Sequence, residues 1–209
     1  MSLSGILKNP LINTGQDIEL SCIFTAPLTI KSNEPSFKGD SMSLKRFVRK
    51  QPAQRWEVNA GVKPQSGSGE LAAMLLMAGD STEVAIRMPQ IALLPYTATD
   101  IKLNIGTTQG DSYVAIKNAV VGGPVPSLLV GEFIRLQGSN KVYVVTLNMG
   151  AGTYAVFPNI VASCPVNSVV YHGGEVTMTA YIDSDNSGNI KFSDGILMDP
   201  GALTFIEKL

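Results

Sequence analysis

The stretch from Leu129 to Val170 most constrains what this chain can fold into. Short runs rich in β-branched and aromatic residues alternate there with glycine-rich punctuation. Phe133-Ile-Arg-Leu136 reads as a strand, Gly138-Ser-Asn140 as a tight turn and Val142 to Leu147 as a second strand. Met149-Gly-Ala-Gly152 is a further turn and Tyr154-Ala-Val-Phe157 a third strand. Turn residues every few positions between β-branched runs specify antiparallel meanders, because each run is too short for a helix and each break supplies the backbone freedom of a tight turn. The local prediction is a small barrel or sandwich.

The same punctuation extends along the chain. Ile18 to Thr25 reads as a strand closed by Ala26-Pro27. Ser43 to Arg49, Arg55 to Lys63, Glu83 to Met88, Ser112 to Lys117, Glu175 to Ile182 and Ala202 to Ile206 also alternate as strands. Ser36 to Asp40 and Gln51-Pro52 read as loops. Trp56, the one tryptophan, shares a side of its strand with Val58 and Ala60 and is expected to anchor a core. Glu70-Leu-Ala-Ala-Met-Leu-Leu-Met-Ala-Gly79 differs. Its residues favour a helix, Glu70 suits the first turn and Gly79 the C-terminal cap. It is apolar nearly all round, so the helix should be buried. The expected fold is therefore mainly β, with β-barrel or sandwich elements, one short buried α-helix near 70–79 and two β-rich subdomains. We place them at 1–106 and 107–209, with the break near Gly106-Gly110.

Composition excludes several classes. At 44% hydrophobic residues the 209-residue chain has enough apolar material for real cores. Its net charge of −1 argues against a dominant nucleic-acid or membrane-surface role. No run reaches the roughly 18 apolar residues of a membrane span. The N-terminus, Met1-Ser-Leu-Ser-Gly-Ile-Leu-Lys8, has neither a basic start nor an apolar signal core, so synthesis in the cytosol is expected. The two cysteines, Cys22 and Cys164, read as buried free thiols. With one histidine, His172, they fall short of the usual four-ligand zinc site. No cofactor is expected.

Candidate chemistry is sparse. Asp183, Asp185 and Ser187 fall at the first, third and fifth positions of a calcium loop. Gly188 follows, and Asp194 stands at the twelfth place, where glutamate is usual. The flanks read as strands, and Asp-Asn-Ser-Gly is ordinary turn chemistry, so a plain turn is the preferred reading. His172 precedes Gly173-Gly174, but no nucleophile elbow is present and the sequence identifies no partner for a general base. We therefore read no catalytic residue and expect no enzyme. Between residues 31 and 55, seven basic residues stand against Glu34 and Asp40. A solvated face is the simplest reading. Electrostatic contact with an acidic partner subunit, through Lys45, Arg46, Arg49, Lys50 and Arg55, comes next, and phosphate binding last.

One resemblance goes further. The order Gly131-Glu-Phe-Ile-Arg-Leu136, Lys141-Val-Tyr-Val-Val145, a glycine-rich turn, Tyr154-Ala-Val-Phe-Pro158 and Val166-Asn-Ser-Val169 resembles a module recurrent in tail proteins of tailed bacteriophages. Upstream, a basic loop, Gln54-Arg55-Trp56 opening a strand, a short helix and a strand ending near Pro89 resemble the layout of distal tail and baseplate-hub ring proteins. The closing Phe192 to Gly201 is similar to C-termini of that group. The resemblance implies a structural virion protein that forms a ring at the distal tail or baseplate. It would connect the tail tube to baseplate or host-binding components, with itself and those proteins as partners. Assembly would occur in the host cytoplasm. No functional residue carries over, because such proteins act through surfaces. The alternative is a non-catalytic carbohydrate-binding β-sandwich.

Overall fold

The computed structural model describes residues 6–8, 17–19, 22–34, 36–40, 46–50, 54–64, 83–89, 101–124, 126–183, 191–193, 196–199 and 202–209. The protein is mainly β, 55% in strands and 3% helical. In chain order the strands are β1 (Ile6–Lys8), β2 (Asp17–Glu19), β3 (Cys22–Asn33), β4 (Ser36–Asp40), β5 (Arg46–Lys50) and β6 (Arg55–Pro64). Then follow β7 (Glu83–Arg87), β8 (Ile101–Leu103), β9 (Tyr113–Asn118), β10 (Phe133–Leu136), β11 (Val142–Gly150) and β12 (Thr153–Phe157). The last are β13 (Val170–Tyr171), β14 (Thr177–Ile182), β15 (Lys191–Ser193), β16 (Ile196–Asp199) and β17 (Ala202–Glu207). The helix expected over 70–79 lies outside the described residues.

The chain forms two compact units. One holds Met1–Leu20, Val84–Thr179 and Lys208, the other Ser21–Glu83, Ala180–Glu207 and Leu209. The stretch Gly106-Gly110, where the sequence places a break, runs inside the first unit. Thr107 exchanges backbone hydrogen bonds with Cys164, and Gly110 N–H donates to Ile160 at 2.8 Å. Those bonds tie the loop to partners some fifty residues on, which a reading of local turn residues does not see.

The first unit contains a six-stranded antiparallel sheet in the order β13-β10-β11-β12-β9-β8. It curls nearly into a barrel. Leu103 N–H in β8 donates to Ser168 at 2.9 Å, Asn167 N–H returns a bond to Leu103, and Gln137 N–H donates to Val169. Alternation in β10 and β12, with consecutive buried residues in β9 and at the start of β11, builds the interior. Ile134 and Leu136, Tyr143 and Val145, and Tyr154 and Val156 point inward with Ile101, Leu103, Val114, Ile116 and Ile160. Burying each such side chain contributes about 1.5–3 kcal/mol, so the short strands are held by this core rather than by propensity. The two tyrosines keep their hydroxyls satisfied: Tyr143 accepts from Val161 N–H, and Tyr154 donates to Pro126 and accepts from Leu128 N–H. The β11–β12 turn is a two-residue loop, Ala151-Gly152, with φ of 48° and 74°. Positive φ at both positions matches the right-handed twist of the flanking strands. In the same unit, β1 pairs with β2 and β7.

In the second unit β3 and β17 flank β6, and the end of β14 pairs with β17. Trp56, Val58 and Ala60 are buried on one face of β6, as their alternation predicts, with Leu203 and Phe205 opposite Ala60 and Val58. Two expectations are corrected here. Strand β3 does not close at Ala26-Pro27 but continues to Asn33, because the ladder slips between Thr25 and Thr29. A proline lacking an N–H is accommodated at such an irregularity. Ser36 to Asp40 is not a loop: it is β4, paired along its length with β5. Its glycine and acidic residue are weak strand formers, and the partner strand overrides them.

Candidate functional site

The central motifs of the resemblance, from Gly131 to Val169, fall in the barrel, so the site is built from its strands outward. Gly131 has φ of 90° and closes a turn in which Glu132 N–H donates to Leu129 at 3.0 Å. A side chain at 131 would strain that backbone, which explains why the strand opens with glycine. The turn also aims Glu132 inward. Its Oε2 accepts from Leu129 N–H at 3.0 Å and its Oε1 from Gly173 N–H at 3.3 Å. His172 Nδ1 lies 3.9 Å from Oε1, and both side chains are 1% exposed. One carboxylate thus joins the entry of β10 to the 3-10 turn Gly173–Glu175 that leads into β14. Burial pushes the Glu132 carboxyl above its usual range; the bonds from Leu129 and Gly173 and the nearby His172 pull the other way without cancelling it. His172 does have an acidic neighbour, which the sequence did not identify. The pair is sealed from solvent, so in this conformation it serves as a clamp.

The outward side of the barrel is different. Tyr113 in β9 stands opposite Ala155 in β12, which stands opposite Leu147 in β11. Directly opposed residues share a face, so the three form one apolar row across three strands. Tyr113 and Leu147 are 46% and 57% exposed, and Met149, further along β11, is 58% exposed. A second row, Phe133, Val144 and Phe157, crosses β10, β11 and β12 and is half-buried. Beside it Arg135 stacks 4.7 Å above the Tyr171 ring, a cation–π contact between paired strands. Burial lowers the Arg135 guanidinium from its ordinary value, and Tyr171 partly offsets this.

Of the interaction candidates, Lys45 lies outside the described residues. Arg46, Arg49 and Lys50 are on β5, with Arg46 opposite Asp40 and Lys50 opposite Ser36. Arg55 is exposed at the start of β6, so the hairpin and this strand bring the basic residues of 46–55 into one unit. Of the calcium-loop candidates, Asp183 is half-buried and its N–H donates to Thr204 at 2.8 Å. Asp185, Ser187 and Asp194 lie outside the described residues. Among the described residues no cluster of three His, Cys, Asp or Glu side chains could hold a metal ion. No helix among them is long and apolar enough to cross a membrane. Cys164 is a buried free thiol, as expected; burial raises its pKa, and a hydrogen bond from Thr107 partly opposes that. Comparison with protein-family models and with curated proteins finds no match to this chain.

Proposed function

We propose that this chain is a non-enzymatic structural protein of a phage tail. In this reading its copies form a ring at the distal tail or baseplate that connects the tail tube to baseplate or host-binding components. The observation that carries the reading is the apolar row Tyr113–Ala155–Leu147, lying open on a barrel in which β10, β11 and β12 hold the motifs of the resemblance. A ring subunit needs rigid faces that meet different faces of its neighbours, and a heterologous contact of this kind closes into a ring when the rotation allows. Apolar side chains on hydrogen-bonded strands offer such a face with little side-chain entropy to lose. Charge supports a second contact. The basic residues of 31–55 complement the segment 171–209, where Glu175, Asp183, Asp185, Asp194 and Asp199 stand against Lys191 and Lys208, the sixth acidic residue, Glu207, being buried against Trp56 N–H.

The test is solution mass by light scattering, with negative-stain images of the same peak, on the full chain. A closed ring of one copy number is expected, and the double substitution R46E/R49E should weaken assembly and reduce its salt dependence. A chain that stays monomeric at all concentrations and also fails to bind purified tail tubes refutes the reading.

A further inference from the structure

We propose that the barrel carries a binding site for a phosphoryl group, held by Lys102 and Lys117. The two lysines are direct cross-strand partners in the β8–β9 ladder, between the pairs Ile101–Asn118 and Leu103–Ile116. Ile101, Leu103 and Ile116 are in the core, so strand alternation turns both lysines to the opposite face. Side chains so placed start about 4.5–5.5 Å apart, and like charges directly opposed destabilise a ladder. A dianion between the two ammonium groups turns that repulsion into attraction.

The surroundings form a receptacle. Both lysines line a concave pocket of about 390 Å³ with Asn118, Asn167 and the turn Val120–Gly123, and no carboxylate is among its lining residues. That volume is within the range of small-ligand sites, roughly 300–1,000 Å³. The turn is pre-formed. Gly123 N–H donates to Val120 at 3.1 Å, and Gly122 takes the positive φ, 79°, that the third position of such a turn requires. Asn118 fastens it, accepting from Val120 N–H at 2.8 Å and donating to Pro124 at 3.2 Å. On the other wall Asn167 has φ of 68°, and its N–H is tied to Leu103 at 3.0 Å. Lysine binds phosphate as a point charge, and two of them match a phosphate dianion better than a singly charged carboxylate. The site is independent of the tail-ring reading.

Amide chemical shifts of the full chain, titrated at constant ionic strength with inorganic phosphate and separately with glycerol 3-phosphate, test this. Saturable shifts are expected at residues 102, 117, 120–123 and 167. Tighter binding of glycerol 3-phosphate would identify the group as part of an organic ligand, and tighter binding of phosphate the free ion. K102Q or K117Q should each weaken binding about tenfold or more, from the loss of one charged hydrogen bond. The double variant K102R/K117R should retain it. The proposal is overturned if neither compound gives a saturable shift, if chloride alone reproduces the shifts, or if K102Q/K117Q, with an otherwise unchanged spectrum, binds as well as the parent.

Discussion

Removing the Glu132 carboxylate tests the clamp. In Glu132→Ala, the N–H groups of Leu129 and Gly173 lose acceptors at 3.0 and 3.3 Å in a site where the carboxylate is 1% exposed. A buried donor left unsatisfied costs about 1–3 kcal/mol; that applies to the buried Gly173 N–H, whereas the N–H of Leu129, a residue 40% exposed, can turn to water, so the loss should be about 1–3 kcal/mol. Glu132→Gln keeps the shape and one carbonyl acceptor and should cost only about 1–2 kcal/mol. Urea denaturation followed by circular dichroism measures both, and hydrogen exchange at Leu129 and Gly173 reports the local effect. The pH dependence has a definite sign. The folded-state pKa of Glu132 is raised, so the proton is held more tightly in the folded chain. The stabilisation this gives is fully present below the ordinary carboxylate range and is lost as pH rises through the raised value. The stability gap between the parent and Glu132→Gln should therefore widen on acidification through that window, the other carboxylates cancelling in the comparison. A Glu132→Ala variant within about 0.5 kcal/mol of the parent, with unchanged exchange at both amides, would refute the clamp.

Two further outcomes follow from the barrel. Ala151 has φ of 48° in the β11–β12 turn, a conformation that costs a non-glycine residue about 1–2 kcal/mol. Ala151→Gly should therefore stabilise the chain, by about 0.5–1 kcal/mol once the extra freedom of the unfolded glycine is subtracted, read as a raised urea midpoint; a lowered midpoint would contradict it. Cys164 is a buried thiol with a raised pKa. Alkylation read by peptide mass spectrometry at pH 7.5 should be roughly 10³-fold or more slower in the folded chain than in urea, since modification awaits opening; equal rates would contradict its burial.

Strands were legible wherever one face is buried, because alternation then records the fold directly. Phe133–Leu136, Tyr154–Phe157 and the Trp56 strand read correctly for that reason. The failures arise where pairing with another strand, not alternation, makes the strand. Ser36–Asp40 becomes a strand only through its partner β5, and β3 passes Pro27 only through a slip against β6. Gly131-Glu132 was visible as a motif, but the carboxylate's partner, Gly173, lies 41 residues on.

The candidate sites fail to appear in the sequence for a sharper physical reason. Burial constrains the inward residues of a strand one by one, whereas outward residues acquire meaning only in combination, through register. Tyr113, Leu147 and Ala155 are unexceptional singly, and Lys102 and Lys117 look like two of sixteen scattered cations. The hydrogen-bond ladders make the first three a continuous apolar row and the last two a facing pair. A one-residue slip in any of these three ladders would send one partner to the opposite face and abolish the feature that ladder builds, while changing no residue. Such surfaces therefore depend on whatever fixes register. In the barrel that is the inward set from Ile101 to Val170 together with the two-residue turn at Ala151-Gly152. The core of this protein is thus also what specifies its surface.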